Sequence, residues 1–177
     1  KLKKDYIDGM GVCDSVDLVV MGGFHGRGKR TNVYGAYLMG CYDPESDEVQ
    51  SVCKVGTGFK DEDLTRLTEK MRDRIAGGGS GKKPIQYRTA EVLYPDDWFE
   101  PGVVGELQAA DLSKSSVHMG AFGKIDTNRG IGLRFPRFLR ERDDKAAESA
   151  TNAEQIADMY RSQGLDEGGN GGDGDDY

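Results

Sequence analysis

The chain has 177 residues, of which 36% are hydrophobic and 31% charged, and a formal net charge of −7. That length is typical of one compact domain with short appendages. No stretch approaches the roughly 20 apolar residues that a transmembrane helix needs, so we expect no membrane partner. The three cysteines and two histidines lack the spacing of a zinc site or a disulfide framework, and we expect no metal ligands among them.

The excess negative charge lies at one end of the chain. Residues 1–145 contain 23 basic and 23 acidic side chains, whereas residues 146–177 contain 1 basic and 8 acidic ones. The larger part is therefore neutral, and any affinity for a polyanion must come from local clusters of cations. The last segment, GLDEGGNGGDGDDY at residues 164–177, has almost nothing to bury and predicts a disordered acidic tail.

Strands dominate the predicted secondary structure. β-branched and aromatic runs bounded by turn residues predict strands at residues 16–22, 33–42, 48–56, 84–94, 103–112 and 130–142. Between the third and fourth of these, apolar residues recur at three- and four-residue spacing, which predicts an amphipathic helix over residues 61–75. Thr151 and Glu154 have the spacing of a capping box, which predicts a terminal helix packed on the domain.

Three strands, one helix and then at least two further strands match a mainly β fold. This is the five-stranded Greek-key barrel of the oligonucleotide-binding (OB) type, which has its helix after strand three. Another small β-barrel or an α+β domain fits the same pattern and is the structural alternative.

Two glycine-rich turns carry cations. The stretch GGFHGRGKR places Arg27, Lys29 and Arg30 between two strands, in a region without acids. The stretch CKVGTGF places Lys54 and Thr57 at a tight Gly-Thr-Gly turn. Glycine lets the backbone approach a ligand closely, and amides beside cations and a hydroxyl suit phosphate oxygens. The alternatives are a solvated hairpin tip and an ordinary strand-to-helix turn.

A third basic stretch, RFPRFLRERDDK at residues 134–145, has five cations among its twelve residues. In an extended strand Arg140 and Arg142 point to the same side. Phe135 beside Arg134 suits a wedge against a minor groove or a base. The alternative is an edge strand whose charges protect it from aggregation.

Five stretches together resemble the C-terminal part of eukaryotic ATP-dependent DNA ligases of the replicative, ligase I type: KLKKDYIDGMG, DLVVMGGFHGRGKR, VCKVGTGF, ELQAADLS and GIGLRFPRFLRERDDK. They occur in order with plausible spacing, and the resemblance extends from Lys1 to about Arg161. The chain departs from the family in a slightly longer GMGVCDSVD approach to the first strand, and in Gly105, where a tryptophan is common.

The resemblance implies a division of the chain and a set of site residues. The segments are the end of a nucleotidyltransferase domain with a hinge at residues 1–6, an OB-fold domain at 7–146, a helix at 147–163 and the acidic tail at 164–177. The residues implied to contact ATP phosphates are Lys1, Lys3, Arg140, Arg142, Asp144 and Lys145. The residues implied to contact nicked duplex DNA are Arg27, Lys29, Arg30, Lys54, Thr57, Arg134 and Phe135.

Ligases of this family join nicks in three nucleotidyl-transfer steps. ATP adenylylates a lysine, AMP passes to the 5′-phosphate, and the 3′-hydroxyl displaces AMP. The lysine lies in a Lys-x-Asp-Gly motif that this chain lacks, so we expect no catalytic residue here and no self-adenylylation. The resemblance places that lysine and the Mg²⁺ ligands in an upstream nucleotidyltransferase domain of the same protein, and it implies an upstream DNA-binding domain as a further partner.

The same resemblance implies a monomeric enzyme of the nucleus that acts in DNA replication, repair and recombination. Two other functions fit parts of the pattern. One is a stand-alone nucleic-acid-binding module without catalytic role. The other is a fragment of an RNA-capping guanylyltransferase, which shares the barrel and a similar last motif.

Overall fold

The computed structural model describes residues 15–163, so the predictions for Lys1, Lys3, the hinge at residues 1–6 and the tail at 164–177 lie outside the described residues. Within that range the elements are β1 (Val16–His25), β2 (Tyr34–Asp43), β3 (Glu48–Val55), α1 (Asp61–Arg72), β4 (Tyr87–Arg88), β5 (Asp97–Trp98), β6 (Val104–Gln108), β7 (Asp111–Ser115), β8 (Gly130–Arg134), β9 (Arg137–Glu141) and α2 (Ala153–Ser162). None of the helices in this range is long and apolar enough to span a membrane.

The strands form a curled main sheet and a separate hairpin. The main sheet has the order β4-β3-β2-β1-β6-β9, with β5 beside β1, and β7 pairs with β8. The mainly β class and the helix after the third strand are confirmed. Between β3 and β8 there is no continuous ladder in the described chain, although the Ser51 carbonyl on β3 accepts bonds from the Met119 and Gly120 amides at 2.8 and 2.9 Å. The barrel is therefore curled and incompletely closed by hydrogen bonds.

Both faces of β1 are buried, because its successive side chains point alternately into two different cores. Leu18 and Val20 lie in an inner core that also contains Phe138 and the α2 residue Ile156. Val19 and Met21 lie in an outer core. The remaining buried members of that outer core are Leu38, Val49, Ala76, Tyr87, Trp98, Ala147 and Ala150. Helix α2 therefore packs on the domain as predicted.

The strand predicted at residues 84–94 is wrong for most of its length. Only Tyr87–Arg88 are in strand conformation, and Ile85 and Tyr94 are 93% and 74% exposed. Pro84 at the beginning of the segment cannot donate a backbone bond to a ladder. The segment instead crosses the outer face of the sheet, where the buried Tyr87 ring packs near Trp98.

The two last predicted strands each consist of two parts. Residues 103–112 divide into β6 and β7, and residues 130–142 divide into β8 and β9. The second break lies at Phe135, whose φ is +54°, followed by Pro136, which has no amide to donate. Helix α1 also ends earlier than predicted, at Arg72, because Ile75 forms a β-bridge with Phe99.

The predicted capping box of the terminal helix is shifted by one residue. Asn152 Oδ1 accepts from the Gln155 amide at 2.8 Å, and Gln155 Oε1 accepts from the Asn152 amide at 2.9 Å. Thr151 has a different role: its Oγ1 accepts from the Asp17 amide at 3.0 Å, and its amide donates to the Asp17 carbonyl at 2.8 Å. Thr151 thereby attaches the start of α2 to β1, and Asn152 caps the helix.

A bulge in β9 sets which of its side chains face the core. Leu107 pairs with Phe138 and Glu106 pairs with Arg140, so Leu139 is an extra residue without a partner in the ladder. In a regular strand without the bulge, Phe138 and Arg140 would share a face. With it, Phe138 is buried in the inner core and Arg140 points outward.

Three buried titratable side chains are neutral at pH 7. Burial lowers the pKa of His118 to about 4, and its Nδ1 has no hydrogen-bond partner in the described chain. Burial raises the pKa of the Cys41 thiol to about 12 and also raises that of Cys53. Both cysteines are free thiols inside the protein.

Replacement of Gly58 by alanine should destabilise the fold by about 3 kcal/mol. Gly58 has φ +94°, and a Cβ there would lie 2.3 Å from the Phe138 carbonyl oxygen. The matched control is Gly78→Ala, since Gly78 has φ +69° but nothing within 4 Å of an added Cβ, and should cost about 1 kcal/mol. Denaturant unfolding measures both; equal losses would contradict the close packing of the Gly58 turn on β9.

Acid should destabilise the protein through His118. Because the folded-state pKa is about 4 and the ordinary value is 6.5, the unfolded state binds the proton first as the pH falls. Stability is therefore undiminished above pH 6.5 and decreases by up to about 3 kcal/mol towards pH 4. In His118→Gln this part of the decrease should disappear. Unfolding of both proteins at pH 7.5 measures the packing cost of the substitution separately from the effect of protonation. If the unfolding free energies of the two proteins decrease equally with pH below 6.5, the prediction is contradicted.

Candidate functional site

The GGFHGRGKR stretch contains the last four residues of β1 and the first part of its connection to β2, with a 3-10 turn at Gly28–Arg30. Arg27 and Lys29 are exposed and have no carboxylate partner within residues 15–163. Arg30 is half-buried, and its Nη1 donates to the carbonyls of Gly35 and Gly56 at 3.1 and 3.0 Å. The loop therefore presents two free cations, while the third fastens it to the end of β3.

Hydrogen bonds attach the CKVGTGF turn to the start of β9. Thr57 Oγ1 donates to the Pro136 carbonyl at 3.1 Å, and the Phe138 amide donates to the Thr57 carbonyl at 2.9 Å. The rings of Phe59 and Phe138 stack with centroids 4.3 Å apart. Together with Arg30, these bonds bring the three cation-bearing stretches of the sequence to one surface. We call residues 26–33, 54–58 and 134–136 the loop face.

A groove of about 470 Å³ lies beside this face, between β3 and the β7–β8 hairpin. Its lining includes Lys54, Leu93, Ser113, His118, Arg134 and Phe135. The Lys54 ammonium stands 4.1 Å from the centroid of the Phe24 ring and is exposed. Mostly apolar walls with cations at the rim suit a sugar–phosphate strand, whose sugars are apolar and whose phosphates are anionic.

Phe135 projects from the rim of this groove. It is 70% exposed and has a left-handed backbone, which costs a non-glycine residue about 1–2 kcal/mol. The Arg134 guanidinium carbon lies 5.2 Å from the Phe135 ring centroid, and Arg134 Nε lies 3.0 Å from Asp111 Oδ1. A strained, exposed aromatic contributes little to the core, and such strain is typical of functional positions.

The remaining predicted cations form a second cluster, which we call the strand-end cluster. It consists of Arg140, Arg142 and Lys145 with the carboxylates Asp17, Glu106 and Asp144. Arg142 makes three contacts of 2.9 to 3.2 Å with Asp144 and Asp17, and Lys145 Nζ lies 2.9 Å from Asp17 Oδ2. Arg140 Nε donates to Glu106 Oε1 at 2.7 Å.

Charge in the strand-end cluster is balanced. The pKa of Glu106 is lowered by a hydrogen bond from the Ser15 hydroxyl and further by Arg140. The Arg142 guanidinium lowers the pKa of Asp144 to about 2, and Asp144 raises that of Arg142. At neutral pH three cations therefore face three carboxylates, and a phosphate that approaches Arg142 or Lys145 must compete with bonds already made.

The strand-end cluster and the loop cations Arg27 and Lys29 lie at opposite ends of β1. Asp17 is the second residue of that strand and His25, which adjoins the loop face, is the last. Eight residues at about 3.3 Å each correspond to roughly 26 Å. One phosphate-bearing ligand of nucleotide size cannot bridge these two ends of β1, whereas Pro136, at the other edge of the loop face, is only four residues from Arg140.

Sequence reasoning missed the carboxylates outside the basic stretches. Asp17, Glu106 and Arg140 form one row across three strands, because Asp17 pairs with Glu106 and Glu106 with Arg140. Each acid occurs singly in an otherwise apolar strand, and that signal could have suggested a buried partner. The register that aligns them could not be read from the sequence. Across residues 15–163 no group of three or more His, Cys, Asp or Glu residues could hold a metal ion.

Comparison with known proteins identifies the family. The model of the ATP dependent DNA ligase C terminal region matches residues 30–145. "DNA ligase 1" of Arabidopsis thaliana is 51% identical over 177 residues, which is 99% of this chain and 22% of that protein. "DNA ligase 1" of Drosophila melanogaster is 52% identical over 163 residues, covering 92% and 21%. The chain thus spans about a fifth of the length of these relatives.

The similarity extends beyond eukaryotes and to the fold. "DNA ligase" of Hyperthermus butylicus is 45% identical over 163 residues, 92% of this chain and 26% of that protein. The ligase domain of LigD from M. tuberculosis superposes with a TM-score of 0.56 at 19% identity, over 78% of this chain and 38% of that one. The latter likeness supports the predicted OB-type fold. The chain belongs to the family of C-terminal regions of ATP-dependent DNA ligases.

Proposed function

We propose that this chain is the part of a DNA ligase that closes over nicked duplex DNA and orients the phosphates of ATP. The observation that carries the proposal is the loop face, where bonds from Arg30 and Thr57 join three cation-bearing stretches that are distant in sequence. The nucleophilic lysine and the Mg²⁺ ligands belong, on this proposal, to an upstream nucleotidyltransferase domain.

On the DNA side, exposed Arg27, Lys29 and Lys54 contact backbone phosphates, which supply affinity without reading sequence. Phe135 enters the minor groove near the nick, supported by Arg134. Arg30 and Thr57 were predicted to contact DNA with their side chains. Their bonds to Gly35, Gly56 and Pro136 favour a role in holding the loops together.

On the ATP side, the strand-end cluster orients the β- and γ-phosphates. Phosphoryl and nucleotidyl transfer depend on positioning and on charge stabilisation, both of which guanidinium groups provide. The terminal nitrogens of Arg140 make no hydrogen bond within the described chain, so this fork is open to a phosphate. Lys1 and Lys3 would contact the adenylate phosphate. ATP supplies the adenylate that the reaction transfers.

The separation of the two sites supports a domain that uses one site in the ATP step and the other in the DNA step. Because roughly 26 Å lies between the strand-end cluster and the loop cations Arg27 and Lys29, the domain presents the cluster in the ATP step and those loop cations in the DNA step. A stand-alone nucleic-acid-binding module, the alternative, has no use for a second phosphate site remote from its DNA face. The family match also disfavours the guanylyltransferase alternative.

The finer expectations follow from the same proposal. The whole protein works as a monomer with Mg²⁺, and it works in the nucleus during replication, repair and recombination. Support for the nuclear location comes from the eukaryotic relatives alone, since an equally long match exists in Hyperthermus butylicus.

Removal of the two free loop cations should weaken binding to nicked DNA and flatten its salt dependence. In Arg27→Ala/Lys29→Ala, the slope of log K against log salt should fall by about 2, because each lost phosphate contact contributes about 0.9. Fluorescence anisotropy with a nicked duplex at several salt concentrations measures this. Arg30 is left intact, because its bonds to Gly35 and Gly56 maintain the loop.

The matched control is Lys82→Ala/Arg161→Ala, which removes the same formal charge from exposed positions outside both sites. Its slope should stay near that of the wild-type chain. If both double variants lose the same slope, only net charge matters, and the loop face is not the DNA contact.

Phe135→Gly should have opposite effects on stability and on binding. Glycine relieves the left-handed backbone and should stabilise the fold by about 1 kcal/mol, since little of the side chain is buried. Loss of the ring should weaken affinity for a nicked duplex several-fold. Thermal unfolding and anisotropy measure the two effects, with Ile85→Ala as the control for loss of an exposed apolar side chain, since Ile85 is 93% exposed and lies outside both sites. Unchanged DNA affinity would exclude the wedge.

A further inference from the structure

We propose that Glu106 is a positioning residue, which directs the Arg140 guanidinium towards phosphate, and that Ser15 fixes Glu106 for this task. The inference rests on the proposed function, because it names a residue that serves the phosphate contact. Glu106 lies on β6, outside all the cation-bearing stretches. Its role arises only from the cross-strand pairing with Arg140.

The geometry of the pair leaves the useful end of the arginine open. Glu106 accepts from Nε of Arg140 at 2.7 Å, so the two terminal nitrogens, with four N–H groups, are not needed for the bond to the carboxylate. The Arg140 side chain is 62% exposed, whereas that of Glu106 is only 16% exposed. A half-buried carboxylate thus holds the base of an exposed fork, and a fork of this kind binds phosphate through two parallel bonds.

Ser15 completes the arrangement from the other side. Its hydroxyl donates to Oε2 of Glu106, while Oε1 receives Arg140. Both carboxylate oxygens are thereby assigned to one partner each, which removes rotation about the last bond of the glutamate. Groups held by such a supporting bond retain the productive orientation at a lower entropic cost on binding.

The other two cations of the cluster are committed to the protein. Arg142 uses three of its nitrogens on Asp144 and Asp17 and is 18% exposed. Lys145 shares Asp17 with it and is 30% exposed. Both stabilise the exit of β9 against β1. Arg140 is the member of the cluster that can form a new bond without breaking an old one, and its direction is set by Glu106.

Two substitutions separate position from charge. Glu106→Gln and Glu106→Ala remove the same negative charge, but only glutamine keeps an oxygen for Arg140 Nε and an amide that can donate to Ser15. The probe is inorganic tripolyphosphate, titrated into the full chain by calorimetry. We expect Glu106→Ala to bind it about three- to five-fold more weakly than Glu106→Gln, and Arg140→Ala about ten-fold more weakly than the wild-type chain.

A second readout is independent of ligand affinity. The Arg140 Nε–Hε signal in ¹⁵N NMR should show a restricted guanidinium in the wild-type chain and in Glu106→Gln, and a mobile one in Glu106→Ala. A purely structural role for Glu106 would not distinguish the two variants in this way. The matched control is Glu48→Gln against Glu48→Ala, since Glu48 pairs with Arg88 at 3.8 Å on β3 and should not affect tripolyphosphate.

The outcomes are distinguishable. Equal affinities and equal Arg140 mobility in the two Glu106 variants would overturn the positioning role while leaving the proposed function intact. A wild-type chain that does not bind tripolyphosphate would count against the proposed ATP role. The same titration with a nicked duplex then identifies the phosphate source: if Arg140→Ala and the Glu106 pair alter only duplex binding, Glu106 positions Arg140 for a DNA phosphate. No effect on either probe would overturn the inference.

Discussion

Both candidate sites depend on the bulge at Leu139. It lets one short strand bury Phe138 in the inner core and then turn Arg140 outward to Glu106. The buried end of the strand is fixed at the Gly58 turn, where the backbone and stacked rings leave no space for a side chain. A register slip by one residue would exchange the core and surface faces of β9. The packing of Phe138 therefore sets the position of the basic stretch, and that position determines which carboxylates its arginines meet.

The cations of the two candidate sites differ in whether a carboxylate balances them. Arg27 and Lys29 lie in a loop without acids and keep their positive charge unbalanced, which suits long-range attraction to a polyanion. Arg142 and Lys145 share Asp17 and are half-buried or more, which suits a fixed geometry with little net field. Exposed ion pairs contribute little to stability on average. The ion pairs of Arg142 and Lys145 therefore matter mainly because their carboxylate partners fix the orientation of these side chains.

Part of the fold could be predicted from the sequence alone. The first three strands and both helices were located because apolar periodicity and turn residues act over a few neighbouring positions. The strand predicted at residues 84–94 was wrong, because Ile85 and Tyr94 are exposed and only a two-residue strand, Tyr87–Arg88, forms there. The capping box was displaced because Thr151 bonds to Asp17, which is 134 residues distant.

The sequence by itself determined the family, the mainly β class and the residue types that a phosphate ligand requires. Those are local properties, carried by short motifs and by side-chain chemistry. Only the tertiary structure decided that the loop and turn motifs share one face, that Arg30 and Thr57 bond to main-chain carbonyls, and that Glu106 faces Arg140. The physical reason is that strand register and bulges bring together residues far apart in the chain, and register is set by the packing of the whole core.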